Sequence, residues 1–245
     1  MFALCSLGRD KKEDYQGKVQ ICLATCYNYI RSGEFPHLEL VYLPYKRKKG
    51  KKKKEVRAKR AAQGNSIEKR PEEINKRTSY GHWEMDTVKG KQGVTKSCML
   101  VLTERKTRDE IIVKLPDQKA ASVVEAINKL ERKWGDMFTK VFRSITVDNG
   151  VEFSDYEGLE RSVLHEGEKR TFLFYCHPYS SWERGTNENN NRLIRRHIPK
   201  GEDFDEKQDR DIEYIENWIN NYPRGILGFR TSAQLFDCLL YTSPS

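Results

Sequence analysis

Downstream of Gly81 the hydrophobic pattern alternates between strand-like and helix-like periods, and that limits the fold more than any other feature. Trp83 to Val88, Ser97 to Glu104 and Glu110 to Leu115 are short runs rich in β-branched or aromatic residues, the composition of strands. Turn-prone KGKQG separates the first two and KTRD the next two, so the three are expected to pair as an antiparallel meander. Between Gln118 and Trp134 the period lengthens: Val123, Ile127, Leu130 and Trp134 mark one stripe of an amphipathic helix. Strand composition returns at Val141 to Val147 and Thr171 to Tyr175. A last helix is expected over roughly 210–221, with Ile212, Ile215, Trp218, Ile219 and Tyr222 on one side.

Such alternation predicts a mixed α/β domain, and its element order is that of a ribonuclease H-like fold, a mixed five-stranded sheet flanked by helices. At 245 residues the chain holds one medium domain with an appendage, or two small ones. Upstream, Val19 to Ile30 has helical spacing and Gly33 supplies a stop.

The net charge of +9 is strongly localised. KRKKGKKKKEVRAKR, residues 46–60, carries eleven basic residues and one acid, so the rest of the chain is close to neutral. Like charges at that density repel and do not fold alone; the segment reads as an arm whose counterpart is a polyanion, nucleic acid first. Lys46, Arg47, Lys48, Lys49, Lys51, Lys52, Lys53 and Lys54 are its phosphate-binding candidates. The longest apolar run, Cys98 to Leu102, is far short of a bilayer span, and no export signal is evident. The six cysteines lack a metal-ligand rhythm and read as reduced thiols of a cytosolic protein.

Three acids stand where charge is unexpected. Asp86 interrupts an apolar strand, sharing a face with Glu84 and Val88 and opposing Trp83 and Met85. Asp148 ends the fourth strand, before an Asn-Gly that turns the chain sharply; such an aspartate also serves as a plain turn former. In SSWERGTNENNNRLIRRH, Ser180 with Glu183 fits a capping box, which starts a helix near Ser181 and engages Glu183 with backbone donors. Glu188 then projects from another face of that helix. If the three converge, they offer oxygen-only ligands suited to hard divalent cations and phosphoryl transfer. Arg184, Arg192, Arg195, Arg196 and Lys200 lie close enough along the chain to grip phosphates, or simply form a solvated helix face. Asn149, Asn187 and Asn191 are candidates to orient carboxylates or touch DNA, although Asn-rich runs are commonly turns. His82 and His177 read as structural donors, and Trp83 and Trp182 as packing residues.

GHWEMDTV, TVDNGVEF and HPYSSWERGTNENNNRLIRRHIPKG together resemble the insertion-sequence-thirty (IS-thirty) family of bacterial transposases, of the DDE integrase-core superfamily; the likeness runs from about Ser66 to about Phe236. The resemblance implies a ribonuclease H-like integrase catalytic domain over 78–236 and places the family's three acids on Asp86, Asp148 and Glu188. It also implies two Mg2+ (or Mn2+) ions, cleavage at transposon ends and joining of the freed 3′ hydroxyl to target DNA. The implied partners are double-stranded DNA and further copies of the chain, in a bacterial cytoplasm near the nucleoid. A structure-specific nuclease of the same fold, or a non-catalytic DNA-binding remnant, are the alternative functions. The segment from Tyr156 to Arg170 is longer than the family's usual one, predicting an extended helix or loop. Residues 1–45 match only the end of the family's helical DNA-binding region, 46–77 form the basic linker, and 237–245 are expected to be a non-native tail.

Overall fold

The structure, a computed structural model, describes residues 22–38, 64–91, 93–177, 180, 183 and 185–242; the side chains of 23, 185–188 and 239–242 are outside that description. Helix α1 (Leu23–Ser32) is capped by Cys22 and ends on Gly33, whose φ of 80° is left-handed. Then come β1 (Asn65–Ser66), α2 (Glu72–Lys76), β2 (His82–Lys89), β3 (Cys98–Glu104) and β4 (Glu110–Leu115). They are followed by α3 (Ala120–Trp134), α4 (Phe138–Val141), β5 (Ser144–Val147), α5 (Tyr156–Glu160) and β6 (Phe172–Tyr175). The chain closes with α6 (Gly185–His197), α7 (Asp209–Asn220) and α8 (Ser232–Thr242).

The sheet has six strands in the order β1-β6-β5-β2-β3-β4. β2, β3 and β4 form the expected antiparallel meander, while β5 and β6 extend it in parallel from β2. That is the ribonuclease H-like arrangement. The sixth strand corrects the expectation of five: β1 pairs parallel with β6 over only two residues, too few for any periodicity to register. A second correction concerns Val141 to Val147. Its first residue ends α4, and the strand begins at Ser144, because Phe138, Val141 and Phe142 turn into the core and the Val141 carbonyl accepts the Trp83 indole N–H at 2.7 Å.

The sheet separates two apolar cores. On one face Trp83, Met85, Leu100 and Leu102 meet the α3 stripe (Val123, Ile127, Leu130) and Phe138, Phe142 and Phe153. On the other, Val88, Met99, Val101 and Ile112 meet Ile194 of α6, Ile198 just after it, and Ile212, Ile215 and Ile219 of α7. β3 is therefore buried along its whole length. Helix α7 also covers the outer edge of β4: Glu216 accepts the Ile112 N–H at 2.6 Å, and Asn220 both accepts from the Glu110 N–H and donates to its carbonyl. Side chains thus complete the hydrogen bonds of an edge strand that would otherwise invite another strand.

The long segment from Tyr156 to Arg170 folds as α5 and a return loop closed by the Arg161–Lys169 bridge. Arg170 is fully buried at its end, bonded to Glu131 at 3.0 Å, to Asn128 and to the Leu159 and Gly158 carbonyls. His82, also buried, shares hydrogen bonds with Ser144 and Ser79.

Candidate active site

Asp86 and Asp148 are carried by parallel neighbours, β2 and the chain leaving β5. The register pairs Glu84 with Thr146, and two further residues along each chain bring Asp86 beside Asp148 on one face. Neighbouring strands lie about 4.8 Å apart, and the two aspartates fall on one face of such a pair, Asp86 within β2 and Asp148 directly after β5. Both are half-buried. Each is aimed by short-range donors: Asp86 Oδ1 accepts the Thr87 N–H at 2.9 Å, and Asp148 Oδ1 accepts the Gly150 N–H at 2.9 Å. The second contact explains the Asp-Asn-Gly sequence. A Cβ at position 150 would stand 2.9 Å from Asp148 Oδ1 and 2.6 Å from Glu152 Oε2, so a larger residue there would require the two acid side chains to shift.

Helix α6 crosses the same face, its Ile194 and the following Ile198 seated on the Val88 side. From it Asn191 donates to Asp86 Oδ2 at 3.0 Å. Position 188 precedes Asn191 by three residues, nearly one turn, on the same side of the helix. The Glu188 and Asn187 side chains themselves lie outside the described residues, as do Arg184, Trp182 and the arm residues Lys46, Arg47, Lys48, Lys49, Lys51, Lys52, Lys53 and Lys54. Among the described residues no three His, Cys, Asp or Glu side chains converge as a metal-binding group. The two described acids are nonetheless an oxygen-only donor pair of the kind hard divalent cations take.

The remaining expectations divide. Arg192 is exposed and donates to Asn189. Arg195 donates to the Lys89 carbonyl at 2.6 Å and lies over Phe204, while Arg196 lies over Trp218. These two guanidiniums are engaged in seating α6 on the protein. Lys200 is exposed. Asn149 donates to the Cys176 carbonyl at 2.8 Å, tying the ends of β5 and β6 together rather than touching a carboxylate. The capping box at Ser180 is not formed: α6 starts at Gly185, and the Glu183 carboxylate accepts instead from the His177 N–H and ring, a closer set of donors. His177 also reaches Glu68, and its two carboxylate partners raise its pKa.

Two buried acids under this face, Glu84 and Glu110, were not singled out as site residues in the sequence, and Asn190 of the Asn cluster is buried with them. Glu84, fully buried, pairs with Arg105. Glu110, also fully buried, is pushed up to about 7 by burial, partly offset by Arg224. Asn190, 2% exposed on α6, accepts from Arg224 at 2.7 Å, locking that helix to the segment after α7. The only sequence signal of the two acids was their inward-facing position on a strand.

A mixed sheet with Asp86 within β2 and Asp148 directly after its parallel neighbour β5, and a helix braced against Asp86, has the ribonuclease H-like layout. No protein-family model matches the chain. It is 37% identical over 216 residues to the "Probable transposase for insertion-like sequence element IS1161" of Streptococcus salivarius, across 87% of this chain and 58% of that protein. Against "Transposase InsI for insertion sequence element IS30A" of Escherichia coli (strain K12) the identity is 34% over 174 residues, 71% of this chain and 42% of that one. Among solved structures, the catalytic core domain of BIV integrase aligns with a TM-score of 0.47 at 18% identity, over 66% of this chain and 97% of that chain. Over the matched stretch the chain belongs to the insertion-sequence-thirty family of transposases. It spans about half the length of the curated relatives it matches.

Proposed function

We propose that the chain is the catalytic part of a DDE transposase, which cleaves phosphodiester bonds at transposon ends and transfers the freed strand into target DNA. The observation that carries this reading is the parallel pairing of β2 with β5, the strands that carry Asp86 and lead into Asp148, with α6 held to Asp86 through Asn191.

Asp86, Asp148 and Glu188 would hold two Mg2+ or Mn2+ ions, which when bound polarise the scissile phosphate and lower the pKa of the attacking hydroxyl. The chain's own part is orientation. The Gly150 and Thr87 N–H groups and the Asn191 amide fix the carboxylate oxygens before DNA arrives, so little reorganisation is left for the reaction. Arg192 faces solvent on the same helix and suits a phosphate oxygen. In cleavage, water forms one P–O bond as another breaks, leaving a 3′ hydroxyl. In joining, that hydroxyl repeats the exchange on target DNA and releases a target 3′ hydroxyl. Each step replaces one P–O bond by another, so neither a nucleotide cofactor nor a covalent enzyme intermediate is needed.

Asp148→Asn is expected to lower metal-dependent nicking and strand transfer by roughly 100-fold or more. Near-normal activity would reject the assignment. Cleavage without joining on a pre-cut end would identify a nuclease instead. The basic arm is the proposed backbone-phosphate grip. Replacing Lys51, Lys52, Lys53 and Lys54 with Ala should weaken DNA binding evenly across sequences and flatten its salt dependence; an unaltered slope in a filter-binding titration would count against it.

A further inference from the structure

Glu152 has a burial that the proposed reaction leaves unexplained. It is 8% exposed, in the turn Val151–Phe153 directly after the Asp148 loop. Among the described residues it has hydrogen-bond partners but no ion pair, an expensive state for a carboxylate. Its Oε1 accepts the Thr87 hydroxyl at 2.7 Å and the Gln118 amide, and that amide also reaches the Thr87 oxygen at 2.9 Å. Its Oε2 lies against Gly150, on the spot a Cβ would need, beside the oxygen of Asp148 that Gly150 holds.

We propose that Glu152 is a positioning residue of the site, fastening Thr87, the neighbour of Asp86, to the turn that carries Asp148. The inference rests on the reading of Asp86 and Asp148 as the reacting acids. Those acids sit on different strands joined by backbone pairing only as far as Glu84 and Thr146. Beyond that register the strand ends have no shared ladder to set the separation of their carboxylates. Glu152 supplies the missing tie from the opposite face of β2: one oxygen holds the Thr87 side chain, whose own N–H binds Asp86, and the other abuts Gly150, whose N–H binds Asp148. Gln118, just before α3, completes the brace by anchoring both Thr87 and Glu152 to the packed side of the sheet. Glu152 does not itself form a group of three acids with Asp86 and Asp148, which fits bracing rather than ligation.

The test is Mn2+ affinity of the 245-residue chain, read from the free-ion signal in electron paramagnetic resonance, so that no DNA substrate or turnover is required. Glu152→Ala should weaken Mn2+ binding roughly tenfold, the usual loss when an outer-shell partner is removed. Glu152→Gln, whose amide oxygen still accepts from Thr87, should recover affinity to within about threefold of the parent. Unchanged affinity in Glu152→Ala overturns the proposal. Equal losses in the Ala and Gln variants overturn it as well, because they would mean that the charge acts directly on the ion. If Glu152→Ala does not fold, Thr87→Val and Gln118→Ala carry the test: each removes one donor of the brace and should weaken binding about threefold, and parent-like affinity in both overturns it. Asp86→Asn and Asp148→Asn serve as the control. If they leave Mn2+ binding intact, the site reading itself fails and the brace with it, whereas their loss of binding alongside an unaffected Glu152→Ala condemns the brace alone.

Discussion

β2 presents two different environments on its two sides. Trp83 and Met85 face a dry core, where the Trp83 ring stacks on Phe142 at 4.8 Å and meets Phe236 edge-on. His82, Glu84 and Asp86 face a side where polar groups are buried among hydrogen bonds and charges. The first side stabilises the fold by removing apolar area from water; the second spends part of that stability on holding charge in fixed places. A site of carboxylates needs both, because repelling acids stay together only on a scaffold with stability to spare.

The sharpest break of the comparison is Trp83→Ala. Loss of a fully buried indole and of its hydrogen bond to Val141 should lower the unfolding free energy by about 3–5 kcal/mol, measured by urea denaturation. On the polar side Arg105→Met removes the guanidinium paired with the buried Glu84 and should cost about 3–4 kcal/mol. The double variant Glu84→Leu, Arg105→Met should regain most of that, showing that the pair sets local order rather than net stability; no recovery would contradict the contrast between the faces.

The smallest effect concerns pH. Burial, with Arg143 and Arg105 nearby, pushes His82 down to about 4, so the folded state holds it neutral. A depressed histidine favours the native state above its unfolded pKa near 6.5, and this contribution fades as pH falls toward 4. It amounts to on the order of 3 kcal/mol across that window. Comparing the pH dependence of the denaturation midpoint in the parent and in His82→Asn should show a shallower acid-side slope in the variant; identical slopes would reject it.

Much of the fold was legible in sequence. The meander, α3 and α7 follow from local periodicity, since each places one apolar stripe against a neighbouring element. What misled were signals whose meaning depends on distant partners. Ser180 and Glu183 have capping-box spacing, yet the His177 ring and N–H take the carboxylate. Arg195 and Arg196 lie over Phe204 and Trp218, partners that no local pattern names. Glu152 resembles a solvated loop acid, and nothing within its turn announces Thr87, sixty-five residues earlier. Asn191 was found among the candidates because an asparagine in mid-helix needs a reason, and its reason is Asp86.

By itself the sequence determined the longer strands and helices and which acids are out of place in them, because period and local turn chemistry act over a few residues. Only the tertiary structure decided which of those acids share a face, since the parallel pairing of β2 with β5 joins residues more than sixty apart and no local rule sets that register. The same holds for the polar support beneath them: the worth of a buried hydrogen bond depends on both ends, and here the ends come from different elements.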